Sequence, residues 1–254
     1  MTSSRRDRLL ILVSLAVITA AAWAYLVHLA RGMSASMQHD AMMAEMGMVM
    51  DMPWTATDAF FTFTMWTVMM MGMMAGAAAP VLLLFAAASA RRDERRVPFM
   101  VLAFGLGYAL IWTAFSAGAA AAQWGLHEAA LLSSAMATSS RYLAAAILIG
   151  AGAYQLTPFK GACLTHCRSP LGFLMTHWRD GRLGALQMGA RHGLYCLGCC
   201  WALMCVLFVV GVMNLVWVAA LTILVLIEKS GPGGARVARL GGAAMIAAGI
   251  YRLR

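Results

Sequence analysis

Six cysteines and an excess of methionine are the residues of this chain whose types and spacing could do chemistry. Cys163-Leu164-Thr165-His166-Cys167 forms one thiol group, and His192-Gly193-Leu194-Tyr195-Cys196-Leu197-Gly198-Cys199-Cys200 forms the second, with Cys205 beyond it. On a helix, His192, Cys196 and Cys199 fall within about 60° of one another, and Cys200 lies about 40° beyond Cys196. One imidazole and two or three thiols therefore share a face, a pattern suited to a soft metal ion. A lone buried Cys is usually a small hydrophobe, which is the role expected of Cys205.

Methionine supplies the second constellation. Fourteen of the 22 Met lie between Met33 and Met74. The stretch from Met33 to Met52 holds Met37, His39, Met42 and Met43 among its donors. Thioethers are soft, neutral ligands that select Cu(I) over Zn(II) or Mg(II). Unlike thiols, they need no deprotonation. Further on, Met65, Met69 and Met73 recur at i, i+4 and i+8, a single stripe along a helix. The stripe also suits a packing seam, because Gly72, Gly76 and the Ala-rich tail permit close helix approach.

The elements that must position these residues are read from composition. The chain is 254 residues long, 62% hydrophobic and 11% charged, with a mean hydropathy of +0.77. Soluble domains run near 45–50% apolar and about 25% charged. A water-soluble enzyme, a secreted disulfide scaffold and a nucleic-acid binder are excluded. The expected class is all-α, a polytopic transmembrane bundle and a single domain over residues 1–254, at home in a bacterial inner membrane.

Uncharged runs of spanning length occur at Leu9–Ala30, Ala59–Ala90 and Val97–Leu126, with a shorter one at Tyr142–Phe159. The run His192–Ile227 is too long for one span and divides at Gly211-Val212-Met213-Asn214, a tight-hairpin sequence. Val237–Tyr251 is short and carries Arg239. Six to seven spans are expected. The first is read as a retained anchor, because its apolar stretch exceeds that of a signal peptide.

Placing the N-terminus in the cytoplasm puts 15 of the 19 Lys and Arg on that side, as the positive-inside rule requires. Lys160, Arg168 and Arg179 are read as part of that charge bias, so the pI of 9.7 is an orientation signal. Residues 31–56 then form a Met-rich extracytoplasmic loop. Residues 158–191 form a cytoplasmic or re-entrant segment, because Thr157-Pro158 and Gly161 disfavour helix continuation. Cys199 would lie roughly 18 Å below the outer hairpin, and the Met stripe would descend to roughly 22 Å. The two constellations are expected to meet.

From Trp112 onward the chain resembles a bacterial family of predicted metal-binding integral membrane proteins, a domain of unknown function in which some members are labelled copper chaperones. The residues that carry this are Ala151-Gly152-Ala153-Tyr154-Gln155-Leu156-Thr157-Pro158-Phe159-Lys160, the Cys163–Pro170 and His192–Met204 stretches, Gly211–Leu215 and Glu228-Lys229. Upstream, Trp66-Thr67-Val68-Met69 and Met73-Met74 look like the family's second-span motif. The resemblance implies metal binding, without naming a transport cycle or a partner.

The favoured reading is a Cu(I)-handling membrane protein. Cu(I) would be captured at Met37, His39, Met42 and Met43 and passed along Met65, Met69 and Met73. It would be held on Cys163, Cys167, Cys196, Cys199 and Cys200 with His192 or His166, for delivery to a cuproenzyme or a copper chaperone. No catalytic residue and no P-loop is visible. Two alternatives stand beside it: a transmembrane thiol–disulfide relay through Cys196 and Cys199, and a structural zinc–thiolate site holding Zn(II).

Overall fold

A computed structural model describes residues 5–45, 54–92, 97–133 and 136–254, with side-chain surroundings described to residue 33 in the first stretch. The elements are all helical: α1 Arg5–Glu45, α2 Ala56–Ala90, α3 Val97–Glu128, α4 Arg141–Gln155, α5 Pro158–Arg168, α6 Pro170–His177, α7 Gly181–Cys205, α8 Leu207–Val210, α9 Leu215–Ser230 and α10 Gly234–Leu253. Among the described residues there is no strand, only an isolated bridge between Leu132 and Thr138.

Four helical stretches are long and apolar enough to cross a membrane: Arg5–Met33, Ala56–Ala90, Val97–Glu128 and Gly181–Val210. The α4–α5 pair makes a fifth if its bend lies within one span. This is fewer than the six or seven expected. The long run His192–Ile227 does divide at Gly211, whose φ of 93° suits glycine, and the Asn214 side chain caps α9. That division leaves α9 with 16 residues, short of the roughly 20 that a span needs. The C-terminal α10 carries Arg236, Arg239 and Arg252 and does not qualify either.

The expected break at Thr157-Pro158 is a 61° bend between α4 and α5. Thr157 caps α5 through its side chain, and Pro158 occupies the first turn, where its missing N–H costs nothing. Gly161 does not interrupt α5, which continues to Arg168. Likewise α1 does not end with the first apolar run but continues as helix to Glu45.

The helices that carry the site are drawn together by small residues. A Cβ on Gly107 of α3 would fall on the Leu186 carbonyl of α7, and one on Gly189 of α7 would fall on the Phe104 carbonyl of α3. Backbone contact of this kind is how helices associate where the surroundings are as apolar as the side chains. The core inside holds Trp66, Met69, Met70, Met73, Met74, Phe85, Phe104 and Trp112. Outward-facing Leu9, Leu10, Val13, Leu106 and Leu110 stay uncovered, an apolar exterior compatible with lipid.

Candidate metal centre

The cysteine face of α7 is assembled as its spacing implies. Cys196, Cys199 and Cys200 are each 1% exposed and His192 is 2% exposed. The thiols of Cys199 and Cys200 donate back to the Cys196 carbonyl at 3.1 and 2.8 Å. All six cysteines are free. From α5, Cys167 brings its Sγ to 3.9 Å from that of Cys199, far beyond the ~2.05 Å of an S–S bond. Cys163 packs against Gly198, where a Cβ would meet its Sγ at 2.8 Å. The Tyr154 hydroxyl donates to the Gly198 carbonyl at 2.5 Å, which ties α4 to the same turn of α7. Cys205 lies five residues past Cys200, half-buried at the end of the helix.

Two further residues, each far away in sequence, close on Cys196. Lys229 of α9 donates from Nζ to Cys196 Sγ at 2.8 Å and reaches Cys200 Sγ at 4.0 Å. The Tyr108 hydroxyl of α3 lies 3.0 Å from Cys196 Sγ and also donates to the Met74 carbonyl at 3.1 Å. The backbone approaches of Gly107 to Leu186 and of Gly189 to Phe104 set the α3–α7 distance that allows the Tyr108 approach. Tyr108 thereby ties the α2 backbone at Met74, next to the last stripe residue Met73, to the thiols. Met65, Met69 and Met73 are buried, at 5%, 0% and 1% exposure.

Beside this cluster lies a buried ion pair. Lys160 Nζ is 2.6 Å from Glu228 Oε2, with both side chains 2% exposed. Lys160 also donates to the Gln155 Oε1, and Gln155 Nε2 donates to Glu228 Oε1 at 3.0 Å. Arg168 donates to the backbone carbonyls of Glu228 and Gly231 at 2.6 and 3.0 Å. Lys160 is therefore not a solvated loop charge. It pins the α4–α5 bend to the end of α9, and because Glu228 is held there, its neighbour Lys229 is presented to α7.

His192 and His166 have different surroundings. The His192 ring sits among Phe104, Tyr108 and Phe173 at centroid separations of 6.2, 6.0 and 5.1 Å. Its Nδ1 is buried without a hydrogen-bond partner. An orphaned buried nitrogen costs about 1–3 kcal/mol, so a soft cation there would relieve a penalty. His166 instead stacks on Tyr195 at 4.2 Å and faces His177 edge-on at 6.3 Å. Met37, His39, Met42 and Met43 fall on the helical continuation of α1, and their side chains are outside the described ones, as are residues 46–53 altogether.

Among the described residues no three His, Cys, Asp or Glu side chains converge closely enough to hold a metal ion. What the site offers is paired sulfurs, one cation and an aromatic wall. Such a donor set fits a soft monovalent ion, which accepts few sulfur ligands, better than a closed tetrahedral zinc site.

The described residues are all-helical, with long apolar helices compatible with a membrane protein and a group of buried thiols. A family model described as PpoB2, copper chaperone, matches residues 63–252. The chain belongs to that family of copper chaperones, and the matched stretch holds the second-span methionines, both cysteine groups and Glu228-Lys229. Comparisons with curated proteins and with solved structures give no match.

Proposed function

We propose that this protein is a multi-pass carrier of Cu(I) in a bacterial inner membrane, with its N-terminus cytoplasmic and α9 and α10 completing the bundle. Copper is its cargo. It enters at the Met-rich segment that bears Met37, His39, Met42 and Met43, moves along Met65, Met69 and Met73, and rests on a pair of sulfurs drawn from Cys163, Cys167, Cys196, Cys199 and Cys200, with His192 beside them. A cuproenzyme or a second copper chaperone receives it. The copper-chaperone family supports the cargo.

The observation that carries the reading is the approach of Cys167 to Cys199 across two helices, next to a lysine held at 2.8 Å from Cys196. Cu(I) bound by two thiolates leaves a net negative charge, and the Lys229 ammonium is the counter-charge in a place water does not reach. Hand-over is ligand exchange, each Cu–S bond of the donor replaced by one of the acceptor, and it needs no nucleotide. Zn(II) would require a fuller ligand shell than these residues assemble.

The test is anaerobic Cu(I) loading of the purified protein, read by metal analysis and X-ray absorption. Sulfur-only coordination that disappears in Cys196→Ser and Cys199→Ser supports the reading. Loading that is zero, or unchanged by those substitutions, overturns it.

One observation favours a second reading. The 3.9 Å separation of Cys167 and Cys199 is short enough for the two thiols to close to a disulfide, with two protons and two electrons passed to a disulfide partner. Trapping a mixed disulfide between Cys167 or Cys199 and a thioredoxin-like protein would establish that relay.

A further inference from the structure

At the end of the bundle where α2 begins and α3 finishes lies a second, separate concentration of soft donors. A cavity of about 580 Å³ is lined by His28 and Met33 from α1, Met65 from α2, His127 from α3, Met136 from the following loop and Met213 from the α8–α9 hairpin. Five separate segments thus contribute two imidazoles and four thioethers to one space.

Three features give the cavity the character of a built site. Trp54 stacks on His127 at 4.5 Å and 23°, which holds the imidazole plane and leaves its ring edge to the cavity. Met136 has a φ of 53°, uncommon for a residue with a side chain. Its Sδ accepts a hydrogen bond from Gln123 Nε2 at 3.2 Å, while Gln123 Oε1 accepts from Trp66 Nε1 at 2.7 Å. Gln123 and Trp66 are fully buried, so a rigid relay sets the position of that sulfur. Finally, Met65 is both a wall of the cavity and the first residue of the stripe that continues to Met69 and Met73.

Chain connectivity adds an independent argument. Met33 and Trp54, which flank the Met-rich stretch in the sequence, both line the cavity.

We propose that the cavity is an entry site for one Cu(I) ion, bound by His28 and His127 together with thioethers drawn from Met33, Met65, Met136 and Met213. This rests on the Cu(I) carrier reading above and assigns the station between the Met-rich segment and the stripe that Met65 begins. The donors are imidazole nitrogens and thioethers, so the ion binds without displacing protons from thiols, and soft donors discriminate against Zn(II) and Mg(II). Cargo held this way is looser than on thiolates, as a site that must pass its ion inward requires.

The test uses the full-length chain in detergent with Cu(I), and Ag(I) as a redox-inert probe, titrated anaerobically against a competing chelator. In a background carrying Cys163→Ser, Cys167→Ser, Cys196→Ser, Cys199→Ser, Cys200→Ser, His39→Ala, Met37→Leu, Met42→Leu and Met43→Leu, one equivalent should remain, with nitrogen and sulfur scatterers. Adding His28→Ala and His127→Ala should abolish that equivalent. Met136→Leu, a near-isosteric change that guards against misfolding, should weaken it at least tenfold. An equivalent that persists in the double His variant, nitrogen-free scattering, or equal affinity for Zn(II) would each overturn the entry site. Failure of the thiolate reading looks different: the cysteine substitutions then change nothing, while the histidine substitutions still remove an equivalent.

Discussion

The Nζ of Lys229 lies 2.8 Å from the Sγ of Cys196, although the two residues are 33 positions apart and on different helices. Lys229 is 7% exposed and Cys196 is 1% exposed. A buried cation and a buried thiol placed in contact have each other as electrostatic partner, and this contact organises the centre around it. The following outcomes are expected.

Replacing Lys229 by Met removes the counter-charge of the thiolate centre. A hydrogen bond to a charged group is worth about 1.5–3 kcal/mol, so Cu(I) retention should fall on the order of 10- to 100-fold. Lys229→Arg should keep most of it. Chelator competition at one pH, run on all three proteins, measures the difference. Equal retention in the Met variant would show that the lysine is structural.

The Lys160–Glu228 pair should dominate stability at the α4–α5 bend. Removing one partner of a buried pair leaves an uncompensated charge and costs about 3–5 kcal/mol, whereas replacing both by apolar groups is often close to neutral. Lys160→Met alone should lower the thermal midpoint in detergent. The double variant Lys160→Met, Glu228→Leu should recover much of it.

Gly189→Leu should be among the most damaging single changes in the chain. The added Cβ alone would collide with the Phe104 backbone carbonyl, and neither helix can give way cheaply. Prising α3 from α7 also withdraws Tyr108 from Cys196. The expected result is loss of monodisperse protein on size exclusion, or folded protein without Cu(I) binding.

Tyr108→Phe isolates the hydroxyl. It should destabilise by about 1 kcal/mol and leave the helices in place, with Cu(I) still bound but exchanging faster with a chelator in stopped-flow measurements. An unchanged off-rate would mean that the hydroxyl serves only the Met74 carbonyl.

Cys167→Ser should remove one sulfur scatterer and leave Cys196, Cys199 and Cys200 in place, because Cys167 belongs to α5 and the others to α7. If α5 were not part of the site, the sulfur count by X-ray absorption would stay the same.

Much of this was legible in the linear chain, because it depends on local periodicity. Apolar runs locate the helices, the i, i+4 spacing puts His192 and Cys196 on one face, and Gly211 and Thr157-Pro158 interrupt the helix through backbone rules that act within a few residues. The sulfur-rich character of the protein and its family resemblance are likewise sequence properties. Tertiary structure decided which other groups face that helix. Tyr108, Lys229 and the Lys160–Glu228 pair reach the site across 88, 33 and 68 positions, through interhelical registers that no local pattern encodes. Lys160 shows the physical reason most plainly. Counting charges near helix ends treats every lysine as solvated, but the 61° bend turns this one inward, where only a carboxylate from a distant helix could make its burial tolerable.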